Sequence, residues 1–417
     1  MKIGILGAGI SGLSIAKMLA EYYDIEILEV MPVAGGIART RIVDDIAFHV
    51  TGGHCFNSKH RDVLDWVFNK IMPENQWNKI ERIASIKFKG ENISYPIEFA
   101  IKEIFEFDSS LAMKIVKDFL NVNDDNVYDN LDDWFRKKFG NTLSEEYFIP
   151  YNTKIWNKNP RDMNPIWVEG KLPIPNKESF FSGLFNREKD KMPHSSFYYP
   201  KSNNQNSFID NLSSGINIKF NTKVNSIFID SNKKYIINNQ FEYDILISTL
   251  PLNILPSLLS NCPERILQSA SRLEYNKVTT VLWESLQTEN TWTYLPDPSI
   301  IFHRYIHIGN FLRPKRNFTI TEAIGNRSYN EMIENGKKDP FLIKPLDYHV
   351  SNHAYVVYNE GFKKYKENIM DYLAENEIYT LGRFGEWEYY NMDVCIKSAL
   401  NLSKNIIKSK NINEREI

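Results

Sequence analysis

The chain has 417 residues, 42% of them hydrophobic and 24% charged, with a formal net charge of -2. That length fits two or three packed domains, and that charge excludes general attraction to nucleic acid or acidic membranes, so any bound anion must be held by a local site. The three cysteines, Cys55, Cys262 and Cys395, are far apart and form no CxxC or Cys/His metal spacing, which fits a reducing cytoplasm. A strand pattern begins at once with no charged-then-apolar leader, and no apolar run reaches the ~18 residues of a membrane span.

Residues 2–7 (KIGILG) read as a short buried strand. Residues 10–22 read as a helix with Ile10, Leu13, Ala16, Leu19 and Ala20 on one face, and 25–29 (IEILE) as a second strand ending in an acid. A glycine-rich stretch follows at 49–60 (HVTGGHCFNSKH), where Gly52 and Gly53 give up side chains. Such a pair suits a sharp bend or a backbone pressed against something flat, and alone it reads equally well as a tight turn with an incidental His54. Residues 58–71 are expected to be helical, and 83–95 a hairpin turning at Gly90-Glu91-Asn92. The segment 97–150 is mostly helical in pattern, with Trp134, Phe135 and Phe139 as core. The stretch 150–200, rich in proline, asparagine and aromatics, is expected to be an ordered loop over a pocket. Strands are expected at 216–220, 223–230, 243–249, 278–284, 300–308 and 318–325. A glycine-marked turn at 381–393 opens a closing helix.

Gly7-x-Gly9-x-x-Gly12 directly follows the first strand and opens the helix, and Glu29 stands 17 residues beyond Gly12. In that context the glycines let a pyrophosphate sit on the helix N-terminus, at Ile10 and Ser11, while the acid takes ribose hydroxyls. Just beyond lies Gly35-Gly36-Ile37-Ala38-Arg39-Thr40, and much later DILISTLP at 244–251. Together these three elements resemble the large two-domain flavoproteins, among them amine oxidases, protoporphyrinogen oxidases and desaturases, and imply FAD as cofactor.

Five further stretches resemble the UDP-galactopyranose mutase family, with features of its eukaryotic-type branch. They are GGHCFNS, YNTKIWNKNPRDMNPIWVEGKLPIPN (151–176), TWTYLPDPSIIFHRYIHIGNF (291–311), HAYVVYN (353–359) and GRFGEWEYYNMD. The resemblance implies that Gly53 and His54 lie against the flavin, that Trp156 belongs to a mobile loop, and that Asn152, Tyr147 and Tyr151 contact the substrate. It also places Arg304, Tyr294, Tyr355 and Tyr389 at a sugar-nucleotide diphosphate, and Arg383, Asn391, Met392, Asp393 and Val224 at the cofactor. The family's second diphosphate arginine corresponds to Lys171, which keeps the charge and loses the two-pronged fork.

The fold implied is mixed α/β: a Rossmann-like FAD domain (1–80, 205–250, 375–417), a helical domain (97–175) and a mixed-sheet substrate domain (81–96, 176–204, 251–374). The activity implied is an isomerase that interconverts pyranose and furanose forms of a nucleotide-linked, UDP-type hexose for cell-surface polysaccharide synthesis. In it the N5 atom of reduced FAD attacks the anomeric carbon, and an external reductant such as NAD(P)H keeps the flavin reduced. His54, Arg304 and Lys171 would be the catalytic set. The resemblance also allows a homodimer and gives a cytoplasmic enzyme with no nucleic-acid partner. The alternative is an FAD-dependent oxidoreductase of the amine oxidase or desaturase type. The pairs His349/His353 and His303/His307 lack a nearby acid to complete a metal site, so no metal is expected.

Overall fold

The computed structural model describes residues 1–123, 126–168, 172, 174, 176–178, 180–181 and 195–413. Lys171 lies outside them. The first strand, Lys2–Leu6, is central in a five-stranded parallel sheet ordered Ile378–Thr380, Ile245–Ser248, Lys2–Leu6, Asp24–Leu28, Asn217–Lys219. Its Ile3, Ile5 and Leu6 are fully buried, because a parallel sheet is covered on both faces and its strands read as apolar runs. The helix Ile10–Leu19 buries more than the expected stripe, since Ser11, Gly12 and Ser14 are also enclosed. The long closing helix, Met392–Asn413, accounts for this: its Cys395, Ile396 and Ala399 join the same core as Leu13 and Ala16.

A second, seven-stranded sheet runs Leu342–Val357, Glu274–Ser285, Phe318–Ile324, Arg304–Ile306, Trp292–Tyr294, Ala84–Phe88, Glu91–Ser94. Its pairs are antiparallel except Trp292–Tyr294 with Ala84–Phe88, which is parallel, so the fold is mixed α/β. The helices Ile101–Phe107, Ser109–Leu120 and Leu131–Phe139 pack beside this sheet. Asp108 and Asn130 cap two of them by accepting from the amides of Leu111 and Asp133. Trp134, Phe135 and Phe139 are buried as the sequence predicts, with Phe148 stacked on the last two. No helix among the described residues is long and apolar enough to cross a membrane.

Several boundaries move for identifiable reasons. The expected loop from 150 begins instead as helix, Ile149–Trp156. Pro150 is harmless in a first helical turn, and Tyr151, Ile155 and Trp156 pack on the aromatic core. The helix stops at Asn157, which is left-handed with φ 49°. The expected strand at 223–230 shrinks to Ile227–Ile229, because Asn238 Oδ1 captures the amides of Asn225 and Ser226. Of 300–308 only Arg304–Ile306 pairs. The expected helix at 58–71 starts at Arg61 and closes with one wide turn, Val67–Ile71. The hairpin turns one residue early, at Lys89–Gly90, where both φ values are positive, the geometry that matches strand twist. The long strand Leu342–Val357 is largely missed, since much of it is only part-buried and mixes charged with apolar residues.

Candidate active site

A cavity of about 510 Å³ is lined by residues of both the parallel sheet's domain and the larger sheet. The nucleotide-type loop forms one end. Gly7, Gly9, Ile10 and Ser11 line it, and the first amides of the Ile10–Leu19 helix make that end electropositive. Gly7 has φ 100°, and a Cβ there would stand 2.4 Å from Thr249 Oγ1. Gly12 does not line the cavity. A Cβ on it would sit 2.0 Å from the Gly7 carbonyl oxygen, so its role is close packing of helix on turn. The buried Glu29 carboxylate accepts from the amides of Ala8 and Met31 at 2.7 and 2.8 Å, which fixes it at the cavity wall beside Gly35 and Gly36. Arg39 is not in the wall. It donates to the Gly36 carbonyl at 2.7 Å and so holds that glycine turn.

The glycine pair before His54 presses against protein atoms. A Cβ on Gly52 (φ 89°) would stand 2.6 Å from Glu322 Oε2 and 3.3 Å from Arg304 Nη2, and one on Gly53 would stand 2.7 Å from Ile306 Cγ2. The loop thus seats against the larger sheet, and that seating turns Gly53 and His54 into the cavity. The His54 amide donates to His49 Nδ1 at 3.1 Å, while His54 Nε2 is buried without a hydrogen-bond partner among the described residues. Burial, with Arg383 and Arg304 nearby and Glu322 opposing, pushes the His54 pKa down to about 4, so the ring is neutral at pH 7. The next residue, Cys55, has its thiol pushed up to about 12 by burial, against the pull of Arg82 and Arg304; it is a thiol, not a thiolate nucleophile.

Strand register assembles the cationic wall. Ile86, Tyr294, Arg304, Glu322, Thr280 and His349 are successive cross-strand partners in one row, so Tyr294, Arg304 and Glu322 point to one face. Arg304 Nε donates to Glu322 Oε2 at 2.7 Å, and Arg304 Nη2 donates to the Tyr355 hydroxyl at 2.8 Å. That hydroxyl in turn donates to Glu322 Oε1 at 2.6 Å. His303 Nε2 lies 3.4 Å from the same oxygen. Burial would raise the Glu322 pKa, but Arg304 and His303 outweigh it and hold the carboxyl far below its usual range. For Arg304 burial works against the charge, and Glu322 with Tyr355 keeps the guanidinium firmly protonated. Arg304 Nη1 makes no hydrogen bond to the described residues.

The aromatic residues divide. Tyr294, Tyr355 and Tyr389 line the cavity, the last two stacked at 5.9 Å and 22°. Arg383 covers Tyr389 at 4.7 Å and donates to the carbonyls of Tyr390 and Ala354. Asn391 and Met392 are also in the wall, whereas Asp393 is buried at the start of the closing helix and Val224 lies in a separate core. Trp156, expected on a loop over the pocket, is a buried helical residue packed edge-on behind Tyr355 and Tyr389. Asn152 accepts from its indole N–H at 3.1 Å and donates to the Phe148 carbonyl. Neither Asn152 nor Trp156 is in the wall, because the aromatic core holds this helix in place of a solvent-facing loop. Tyr147 and Tyr151 stack on each other at 5.6 Å, with Tyr151 edge-on to Tyr294, and they too stand behind the wall.

Sequence reasoning missed Glu322 and Arg82. A lone carboxylate in the apolar alternation of FTITEAI was the available signal for the first. Arg82, in the joint between Trp77–Glu81 and Ala84–Phe88, carries no sequence signal.

The buried neutral imidazole has a consequence for stability. Unfolded His54 protonates near 6.5 and folded His54 near 4, so the unfolded state binds the extra proton first as pH falls, and stability is lost from about pH 6.5 down to 4. Glu98, raised by burial to about 8, works the other way between pH 8 and 4.5. Comparison of the protein with its His54→Asn variant isolates the histidine. We expect the protein to lose on the order of 3 kcal/mol more than the variant across that window, read by urea midpoints at stepped pH. Parallel curves would contradict the assignment.

Residues 5–69 match the NAD(P)-binding Rossmann-like domain family, which accounts for the dinucleotide-type end of the cavity. A Klebsiella pneumoniae protein described as "Probable UDP-galactopyranose mutase" is 27% identical over 201 residues, 46% of this chain and 49% of that protein; the match thus spans about half of that relative's length. Among solved structures, a reduced UDP-galactopyranose mutase superposes with a TM-score of 0.85 at 20% identity, covering 98% of this chain and 94% of that one. A structure titled putative protoporphyrinogen oxidase from Exiguobacterium sp. 255-15 gives 0.74 at 16% identity, covering 97% and 98%. The chain therefore has the fold of these proteins and resembles UDP-galactopyranose mutase in both sequence and structure.

Proposed function

We propose that this protein is an FAD-dependent mutase that interconverts the pyranose and furanose forms of a nucleotide-linked hexose, with a UDP-linked galactose or derivative as substrate. The observation that carries the reading is the Arg304–Glu322–Tyr355 cluster, which faces the same cavity as the dinucleotide loop and His54. A redox enzyme acting on an amine has no use for a fixed guanidinium in that place, whereas a departing nucleoside diphosphate gathers negative charge and needs one.

The residues present fit FAD. The helix N-terminus at Ile10 and Ser11 suits a pyrophosphate, Glu29 suits a ribose, and His54, whose Nε2 has no hydrogen-bond partner among the described residues, lines the same cavity. Reduced and bound, the flavin supplies the nucleophile for the anomeric carbon. The chain's own groups do the rest. Arg304 offers its unengaged Nη1 to the diphosphate, with Glu322 fixing the fork and Tyr355 bracing its other arm. Tyr389 and Tyr294 flank the sugar-phosphate, and Tyr147 and Tyr151 back the side where a base would stack. Trp156 and Asn152 brace Tyr355 and Tyr389 from behind and help to keep water out. Neutral His54 holds a single ring proton, and Lys171 remains assigned to the diphosphate by resemblance. The three-domain division, a cytoplasmic location, reduction by NAD(P)H and a homodimer belong to the same reading.

The test is redox state. Air-oxidised enzyme is expected to leave a UDP-hexose unchanged, and dithionite is expected to start turnover without net consumption of reductant. Equal rates in both states would overturn the reading, and steady oxygen uptake with an amine would favour the oxidoreductase alternative, whose fold is shared.

A further inference from the structure

We infer that Arg82 is a second anion-binding residue of this cavity and takes the nucleoside diphosphate jointly with Arg304, an assignment that rests on the mutase reading above. The argument starts from charge compensation. Arg304 is matched by Glu322, and Arg383 spends its donors on the carbonyls of Tyr390 and Ala354. Arg82 also lines the cavity, yet among the described residues it has no ion-pair partner. Its one side-chain hydrogen bond runs from Nη2 to the Tyr294 hydroxyl at 2.6 Å. Its Nε is sealed from solvent and makes no hydrogen bond to the described residues. The guanidinium lies 4.9 Å from the centre of the Trp292 ring and 5.9 Å from that of Tyr95, so aromatic faces hold it in place and contribute only part of what water or a carboxylate would.

A guanidinium kept in a protein wall without a counter-charge costs free energy that a ligand anion can offset. Placement decides which ligand. Tyr294, which accepts from Arg82, is the direct cross-strand partner of Arg304, and both arginines line the same cavity. Two guanidiniums lining one cavity match a group with two linked phosphoryl units better than a single phosphate or a carboxylate. Arg82 thereby supplies the fork that Lys171 lacks. Its backbone supports the placement, since the Arg82 amide donates to the Ser195 carbonyl at 2.8 Å.

The experiment compares UDP with UMP as ligands for the oxidised, FAD-loaded protein by calorimetry, in the unmodified chain, Arg82→Gln and Arg82→Lys. The expected result is UDP binding at least tenfold weaker in Arg82→Gln and intermediate in Arg82→Lys, with UMP binding changed much less and with FAD content and flavin potential unchanged. UDP affinity unaltered in Arg82→Gln, equal losses for UDP and UMP, or a shifted flavin potential with UDP affinity intact would each overturn the assignment. A different failure marks the parent reading: the unmodified chain would hold FAD yet bind neither UDP nor UMP.

Discussion

Arg304→Ala is expected to lower kcat/KM by about 10³-fold while the protein stays yellow, because it removes the cation fixed at the departing diphosphate and touches nothing at the dinucleotide loop. The same change orphans Glu322, whose carboxylate is fully buried and held ionised chiefly by Arg304 against the cost of burial. Removing one partner of such a pair costs about 3–5 kcal/mol, so the variant should also melt well below the parent. The double variant Arg304→Ala/Glu322→Gln separates the two effects. With the orphan charge gone, stability should return in large part, while turnover stays lost. Recovery of both would make the ion pair purely structural, and full activity in the single variant would remove Arg304 from the mechanism.

Gly52→Ala carries the second large effect. A side chain at φ 89° is strained wherever it sits, at about 1–3 kcal/mol, and here the added methyl would land against Glu322 Oε2 and beside Arg304 Nη2. Either the loop lifts and takes His54 with it, or the carboxylate gives way and releases the Arg304 fork. Both displace a positioned group by about 1 Å, which can cost on the order of 10²-fold in rate. Gly53→Ala has no positive φ to strain it and meets the Ile306 Cγ2 methyl at 2.7 Å, not the ion pair, and should be milder. Steady-state assays on the two reduced variants check this order, and the reverse order would mean that the loop is not seated on the ion pair.

What was legible in the chain follows physical rules of differing reach. The fingerprint, the following helix and Glu29 could be read because a pyrophosphate on a helix N-terminus demands local spacing, and the structure places Gly7, Gly9 and Glu29 at one cavity end. The clustering of Arg304 with Tyr355 came from resemblance alone, since a sequence separation of 51 carries no local signal. Glu322 stayed hidden because its partner is set by sheet register, which short-range periodicity does not encode. Trp156 was misplaced because proline and asparagine after 157 suggested a loop for the whole segment, whereas the residues up to 156 pack on an aromatic core. The glycines at 52 and 53 were rightly read as marking close approach, but the approached surface is the Arg304–Glu322 pair and Ile306.

The most direct measurement is anaerobic incubation of the dithionite-reduced, FAD-loaded protein with a panel of UDP-hexoses that includes UDP-galactopyranose, the products being resolved by chromatography and mass. We predict a new species of unchanged mass and furanose ring form from at least one of them, absent with oxidised protein and with Arg304→Ala. Unchanged nucleotide sugars throughout, from protein shown to hold reduced flavin, would contradict the account.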